Sequence, residues 1–180
     1  MKMLSRDDVF SVLAKDPQSL NNDAFRALFE KSETFCAVSL ETFDAFSKLV
    51  WHYSPYSKLL TKPHWWGGKL YTVGDVAKKM VENGWTFEAL SRGEIAGDYK
   101  PGWFDSCQAI YSCFDWEVCL PLIVLNTTWS ERWDCPASSF RIVDGIHRSL
   151  VIAYKVLSSE LSYRPMTAIV LGSKMDGVKG

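Results

Sequence analysis

Apolar positions recur along this chain with two periods, close to four residues in some stretches and two in others, and the changes between them mark out its elements. Ser5 followed by Asp8 gives a capping-box-like start, and Val9, Phe10, Val12 and Leu13 then predict a short amphipathic helix. The spacing of Phe25, Leu28 and Phe29 predicts a second helix from Asn22 to Lys31. "TFCAVSL" has the β-branched and aromatic content of a strand, with Glu41 and Thr42 at its exit, and Phe43 to Val50 reads as helix. From Trp51 to Gly68 the prolines, histidines and paired glycines break both periods and predict a loop. A helix then starts at Thr72 or Gly74, "TVGDVAKKMVENG", with Gly84 in the position favoured just past a helix end. Thr86 to Arg92 reads as another short helix, and "RGEIAGDYKPGW" as an exposed inserted connection. "WEVCLPLIVLN", "FRIVD" and "MTAIVLG" are apolar enough for three strands.

The stretch "RIVDGIHRSLVIAYKV" joins the two periods. Arg141 to Val143 alternate as a strand, Asp144 and Gly145 make the turn, and Leu150, Val151, Tyr154 and Leu157 follow at helical spacing. With helix and strand alternating through the second half, the expected class is α+β (α/β mixed): a small mixed sheet flanked by helices, with residues 1–35 as a helical extension and 36–172 as the core.

Composition narrows this picture. A chain of 180 residues, 47% hydrophobic and 14% aromatic, is the size of one domain and buries a sizeable core, so 1–180 is expected to be a single unit. Twenty Lys and Arg against 21 Asp and Glu leave a net charge of −1, so any DNA contact must come from a local basic patch. The five cysteines, Cys36, Cys107, Cys113, Cys119 and Cys135, form no CxxC pair and read as buried small apolar residues. No apolar run reaches the ~18 residues of a membrane span, and "MKMLSRDDVF" lacks a signal-peptide core. Those features predict no membrane insertion and a reducing, cytoplasmic setting.

The first turn of a helix carries backbone N–H groups without intrahelical partners and a partial positive charge, so "GIHR" at a helix start is a candidate phosphate site. "DGIHR" resembles the DGxHR signature of the ParB/sulfiredoxin superfamily, in which a strand ends and a helix begins at the motif. "AVSLETF", "LYTVGDVAKKMVENGW", "LPLIVLN" and "RPMTAIVLG" are similar to that superfamily's first strand, glycine-terminated helix, central strand and last strand, over roughly residues 36 to 172. Ile146 stands where sulfiredoxins have cysteine, which excludes reduction of a sulfinic peroxiredoxin. The GERR-type motif of chromosome-partitioning members is missing, and the sequence stops about where their helix-turn-helix domain would begin, so centromere-specific binding is not expected. In size, helical extension and motif the chain is most similar to the single-domain fertility-inhibition branch of conjugative plasmids.

That resemblance implies ATP binding and hydrolysis, metal-dependent DNA cleavage through sequence-independent backbone contacts, and inhibition of conjugative or T-DNA transfer. Gly145 would let the backbone approach a phosphate, the N–H groups of Ile146, His147 and Arg148 would point at it, and Arg148 would bind two oxygens at once. His147 would add a hydrogen bond or move a proton; Asp144 would hold Mg²⁺ or another divalent cation, orient a water or accept a proton. The bland alternative is that Asp144 caps the helix and His147 and Arg148 pair on the surface. Glu41 is the second candidate metal-holding and catalytic carboxylate if its strand neighbours that of Asp144; otherwise it caps the helix near Phe43. Asp115 and Glu117 are weaker substitutes.

Between His52 and His64, Lys58 and Lys62 are either a second set of phosphate contacts or a solvated pair. Trp65 and Trp66 are either a stacking platform for a base or cover for a core edge. "GGK" at 67–69 lacks the remainder of a P-loop, and no GxSxG elbow suggests acyl transfer. Two other readings stand beside the enzyme: a nucleotide-bound module that blocks a secretion or DNA-transfer component without chemistry, and a small-molecule kinase of the serine type.

Overall fold

The computed structural model describes residues 2–14, 23–50, 72–97, 99, 101–116, 122–126 and 140–172. Their strands form one mixed five-stranded sheet: β1 (Lys2–Met3), β2 (Thr34–Leu40), β3 (Leu122–Asn126), β4 (Phe140–Asp144) and β5 (Met166–Gly172), in the order β1-β2-β5-β3-β4. Only β3 and β5 run parallel; the remaining pairs are antiparallel. The helices are α1 (Arg6–Leu13), α2 (Asp23–Lys31), α3 (Phe43–Ser47), α4 (Val73–Glu82), α5 (Phe87–Ser91), α6 (Pro101–Ser112) and α7 (Ile146–Leu157). The chain is therefore of the mixed α+β class, and no described helix is long and apolar enough to cross a membrane.

Strand alternation sends side chains to two different cores. On one face Cys36, Leu40, Ile142, Ala168 and Val170 pack with Phe46 of α3, Val76 and Met80 of α4, Phe87 of α5, Phe104 of α6 and the middle of α7. On the other face Phe35, Ile169 and Leu171 meet Val9 and Leu13 of α1 and Phe29 of α2, with Val143 beside them. The N-terminal helical extension is thus a packed layer that covers the second face of the sheet. Both faces must be apolar for that arrangement, which explains why "MTAIVLG" reads as a continuous apolar run rather than an alternating one.

Several local expectations hold. Ser5 and Asp8 form a reciprocal capping box, as do Thr72 and Asp75 at the start of α4. Gly84 follows the Asn83 C-cap with φ of +65°, the left-handed geometry that glycine adopts without penalty. Helix α7 closes with the same geometry at Ser159 (φ +63°), whose N–H donates to Val156 O while Glu160 N–H donates to Lys155 O.

Other expectations need correction. The inserted connection ends at Pro101, where α6 begins. Proline suits a first helical position because its missing N–H has no partner to lose there, and Phe104 and Cys107 then bury one face of the helix. The helix expected from Phe43 to Val50 stops at Ser47; Val50 bonds instead to the sheet edge, its N–H donating to Phe140 O and its carbonyl accepting from Ile142 N–H. Cys36 and Cys107 are buried and free as expected, but Cys113 is exposed, and Cys119 and Cys135 lie outside the described residues.

Helix α4 crosses α3 at Gly74, where an added Cβ would meet Ser47 Cβ at 2.8 Å and the Ser47 carbonyl oxygen at 3.0 Å. Alanine there gains about 1 kcal/mol of helix propensity but overpacks against backbone at a cost of about 1–3 kcal/mol. Gly74→Ala should therefore lower stability in urea denaturation; a stabilised variant would show that Ser47 gives way.

Candidate functional site at the β4–α7 turn

The turn is built by strand geometry first. β4 pairs with β3 through Ile123↔Asp144 and Val124↔Ile142, so Val143 is an extra residue bulged between the two pairs. A bulge bends its strand and re-aims the next side chain, here Asp144. Gly145 follows in the left-handed region (φ +80°, ψ +21°) and serves as N-cap of α7 without any side-chain cap hydrogen bond. Ser149 N–H donates to Gly145 O at 2.8 Å to close the first helical turn. The N-cap position of α7 thus belongs to Gly145, and Asp144 is the residue before it.

What fixes the turn is the burial behind it. Ser149 to Ala153 are fully buried and Tyr154 is nearly so, packed between the sheet, α4 and α6. Ser149 Oγ donates back to Ile146 O at 2.8 Å, so this buried hydroxyl is satisfied within the helix. Ile146, His147 and Arg148 are left half-buried at the rim. A cationic Arg148 in a first turn gains nothing from the helix dipole, which favours anions there.

His147 is set by two opposing effects. Burial pushes its pKa below the ordinary 6.5, and the negative charge of Asp144 pulls it partly back up. The cover comes from α6, whose Trp103 ring lies 4.3 Å from the imidazole, centroid to centroid, at an interplanar angle of 42°. Trp103 is the residue that sequence reasoning misses, because "KPGW" reads as the end of a connection. The available signal was Pro101 as a helix start, with Phe104, Cys107 and Tyr111 at helical spacing behind it.

The motif residues Asp144, Gly145, Ile146, His147 and Arg148 come together; Glu41 does not join them. The carboxylate pair required neighbouring strands, but β5 and β3 stand between β2 and β4. Three inter-strand steps separate the two chains by roughly 14 Å. Glu41 is not the cap of α3 either, since the Thr42 hydroxyl accepts from Ala45 N–H. Glu41 is exposed near Tyr163, whose hydroxyl donates to Leu40 O at 2.7 Å. Burial, and then the charge of Glu41, pushes the Tyr163 pKa up to about 12. Asp115 is exposed beyond α6. Among the described residues no three or more His, Cys, Asp or Glu gather as a metal-binding group. Lys58, Lys62, His52, His64, Trp65, Trp66 and Glu117 fall outside the described residues.

The fold and this turn define a mixed α+β protein in which β4 passes into α7 through a left-handed glycine N-cap. Comparison with protein-family models, curated proteins and solved structures finds no match.

Gly145→Ala forces a Cβ into the left-handed region and should cost about 1–2 kcal/mol in urea denaturation; no loss would mean that the turn relaxes. A second expectation follows from His147. Its folded pKa is depressed, so between pH 6.5 and that lower value the unfolded chain binds a proton that the folded chain does not. Stability should fall as pH drops through this window, and His147→Gln should flatten the fall. Identical pH profiles of unfolding free energy for both proteins would contradict the assignment.

Proposed function

We propose that the protein binds ATP phosphates at the β4–α7 turn and hydrolyses ATP. The observation that carries the reading is the strand–glycine–helix unit, in which the left-handed Gly145 is the N-cap of α7 and His147 and Arg148 lie in its first turn. The N–H groups of Ile146, His147 and Arg148 are the donors for one phosphate, and the Arg148 guanidinium adds two charge-assisted bonds. His147, kept neutral near pH 7 by burial, can accept a proton during attack by water or donate a hydrogen bond. Mg²⁺ commonly needs only one or two carboxylates when substrate phosphates complete its shell, so Asp144 alone fits it, and the ion would neutralise phosphate charge. The ParB/sulfiredoxin resemblance extends the proposal to DNA cleavage and to inhibition of conjugative or T-DNA transfer in the cytoplasm.

One observation favours a second reading. With two strands between that of Glu41 and β4, the pair of carboxylates proposed for DNA cleavage is not assembled, which suits a nucleotide-bound module that blocks a transfer-apparatus component without cutting DNA. ATP turnover and plasmid nicking by the purified protein, with magnesium and with chelator, separate the readings. Turnover without nicking selects the module. Unchanged nucleotide and unchanged DNA throughout would remove the enzymatic reading, and turnover that depends on free serine would replace it with a kinase.

Arg148 and His147 should fail differently. Arg148→Ala should weaken ATP binding by about 1.5–3 kcal/mol, the usual value of bonds to charged groups, and lysine should restore only part of it. His147→Ala should instead lower turnover by ~100-fold or more with a smaller change in affinity. Calorimetric binding and steady-state rates give both quantities; equal and small effects would leave "DGIHR" as an ordinary turn.

A further inference from the structure

Helix α6 is fastened along α7 at both of its ends. At its far end Tyr111 OH donates to the Glu160 carboxylate at 2.7 Å, and the Lys155 ammonium sits 3.8 Å from the centre of the Tyr111 ring and 3.5 Å from Glu160. At its near end Phe104 is buried in the main core, and Trp103 packs edge-on against it at 4.8 Å. Tyr99 packs edge-on against the same Phe104 at 5.8 Å. The indole is therefore held from behind, and the group it touches in α7 is the ring of His147.

We infer that Trp103 is the positioning residue of the β4–α7 site, fixing the imidazole of His147 in one orientation for the reacting phosphate. The inference rests on the reading that phosphate binds at this turn. A half-buried histidine at a helix rim samples several rotamers unless a neighbour restricts it. A large, rigid aromatic ring at van der Waals distance restricts it at little entropic cost to itself, because α6 already holds that ring. Angular freedom in an acid–base group reduces turnover far more than it reduces affinity, since binding uses the backbone donors and Arg148 while proton transfer depends on one ring nitrogen.

The test uses Trp103→Ala and Trp103→Phe in the full chain, with folding checked by circular dichroism. Trp103→Ala should lower ATP turnover by roughly 10- to 100-fold, the scale of a small misplacement of a reacting group, with ATP affinity changed by less than about 3-fold. Trp103→Phe should recover most of the rate. NMR gives a readout independent of activity: the His147 ring protons should carry a ring-current shift that disappears in Trp103→Ala and persists in part in Trp103→Phe. Unchanged His147 resonances and an unchanged rate in Trp103→Ala would overturn the inference, as would parallel losses of rate and affinity in both variants. If the alanine variant does not fold, the phenylalanine variant decides. If the wild-type protein neither binds nor hydrolyses ATP, the proposed function fails, and the His147 resonances still report whether Trp103 fixes the ring.

Discussion

The burial of α7 is the constraint on which the rest of the molecule depends. Six consecutive residues, Ser149 to Tyr154, are withdrawn from solvent, so the middle of the helix is buried around its whole circumference and must be surrounded. The sheet covers one side, α4 and α6 cover others, and the helix can then enter its slot from only one direction. That direction is set by β4, which ends directly before it. A left-handed residue has to make the change of course, and Gly145 is the residue that does so without strain. The polar groups of "DGIHR" sit at the rim because the apolar groups behind them have filled the interior.

The second face of the sheet explains the N-terminal helices. β5 lies in the centre of the sheet with β2 and β3 on either side, and its successive residues Ala168, Ile169, Val170 and Leu171 alternate between two cores. A strand apolar on both faces cannot leave either one to water. Helices α1 and α2 supply the second cover through Val9, Leu13 and Phe29, and Arg6 ties them together by donating to the carbonyls of Phe29 and Glu30 at the end of α2. The extension is thus as much a part of the folded unit as the helices around α7.

Where sequence reasoning succeeded, the responsible physics was local. The capping box at Ser5, the helix start at Thr72, the glycine just past the end of α4 and the apolar strands are all written in residues a few positions apart, and they appear where the local pattern puts them. Where it failed, the deciding contact was distant. Gly102 and Pro101 read as loop residues until Phe104 and Cys107 find a core to bury in, and only then does α6 exist to carry Trp103. Val50 leaves a helical pattern because the β4 edge offers its N–H and carbonyl better-placed partners.

The same division runs through the candidate site. The sequence by itself determined that Asp144 to Arg148 form one unit, since five adjacent residues at a strand-to-helix junction stay together in any fold that keeps the junction. It also determined the glycine, because the turn needs φ above zero. Only the tertiary structure decided what joins that unit. Strand order separates Glu41 from Asp144 by two intervening strands, although the chain offered them as a pair, and helix packing sets Trp103 on His147 from 44 positions away in the sequence. Strand order and helix packing are settled by which apolar surfaces bury one another most completely. That choice depends on the shapes of whole elements rather than on the spacing of residues within any one of them.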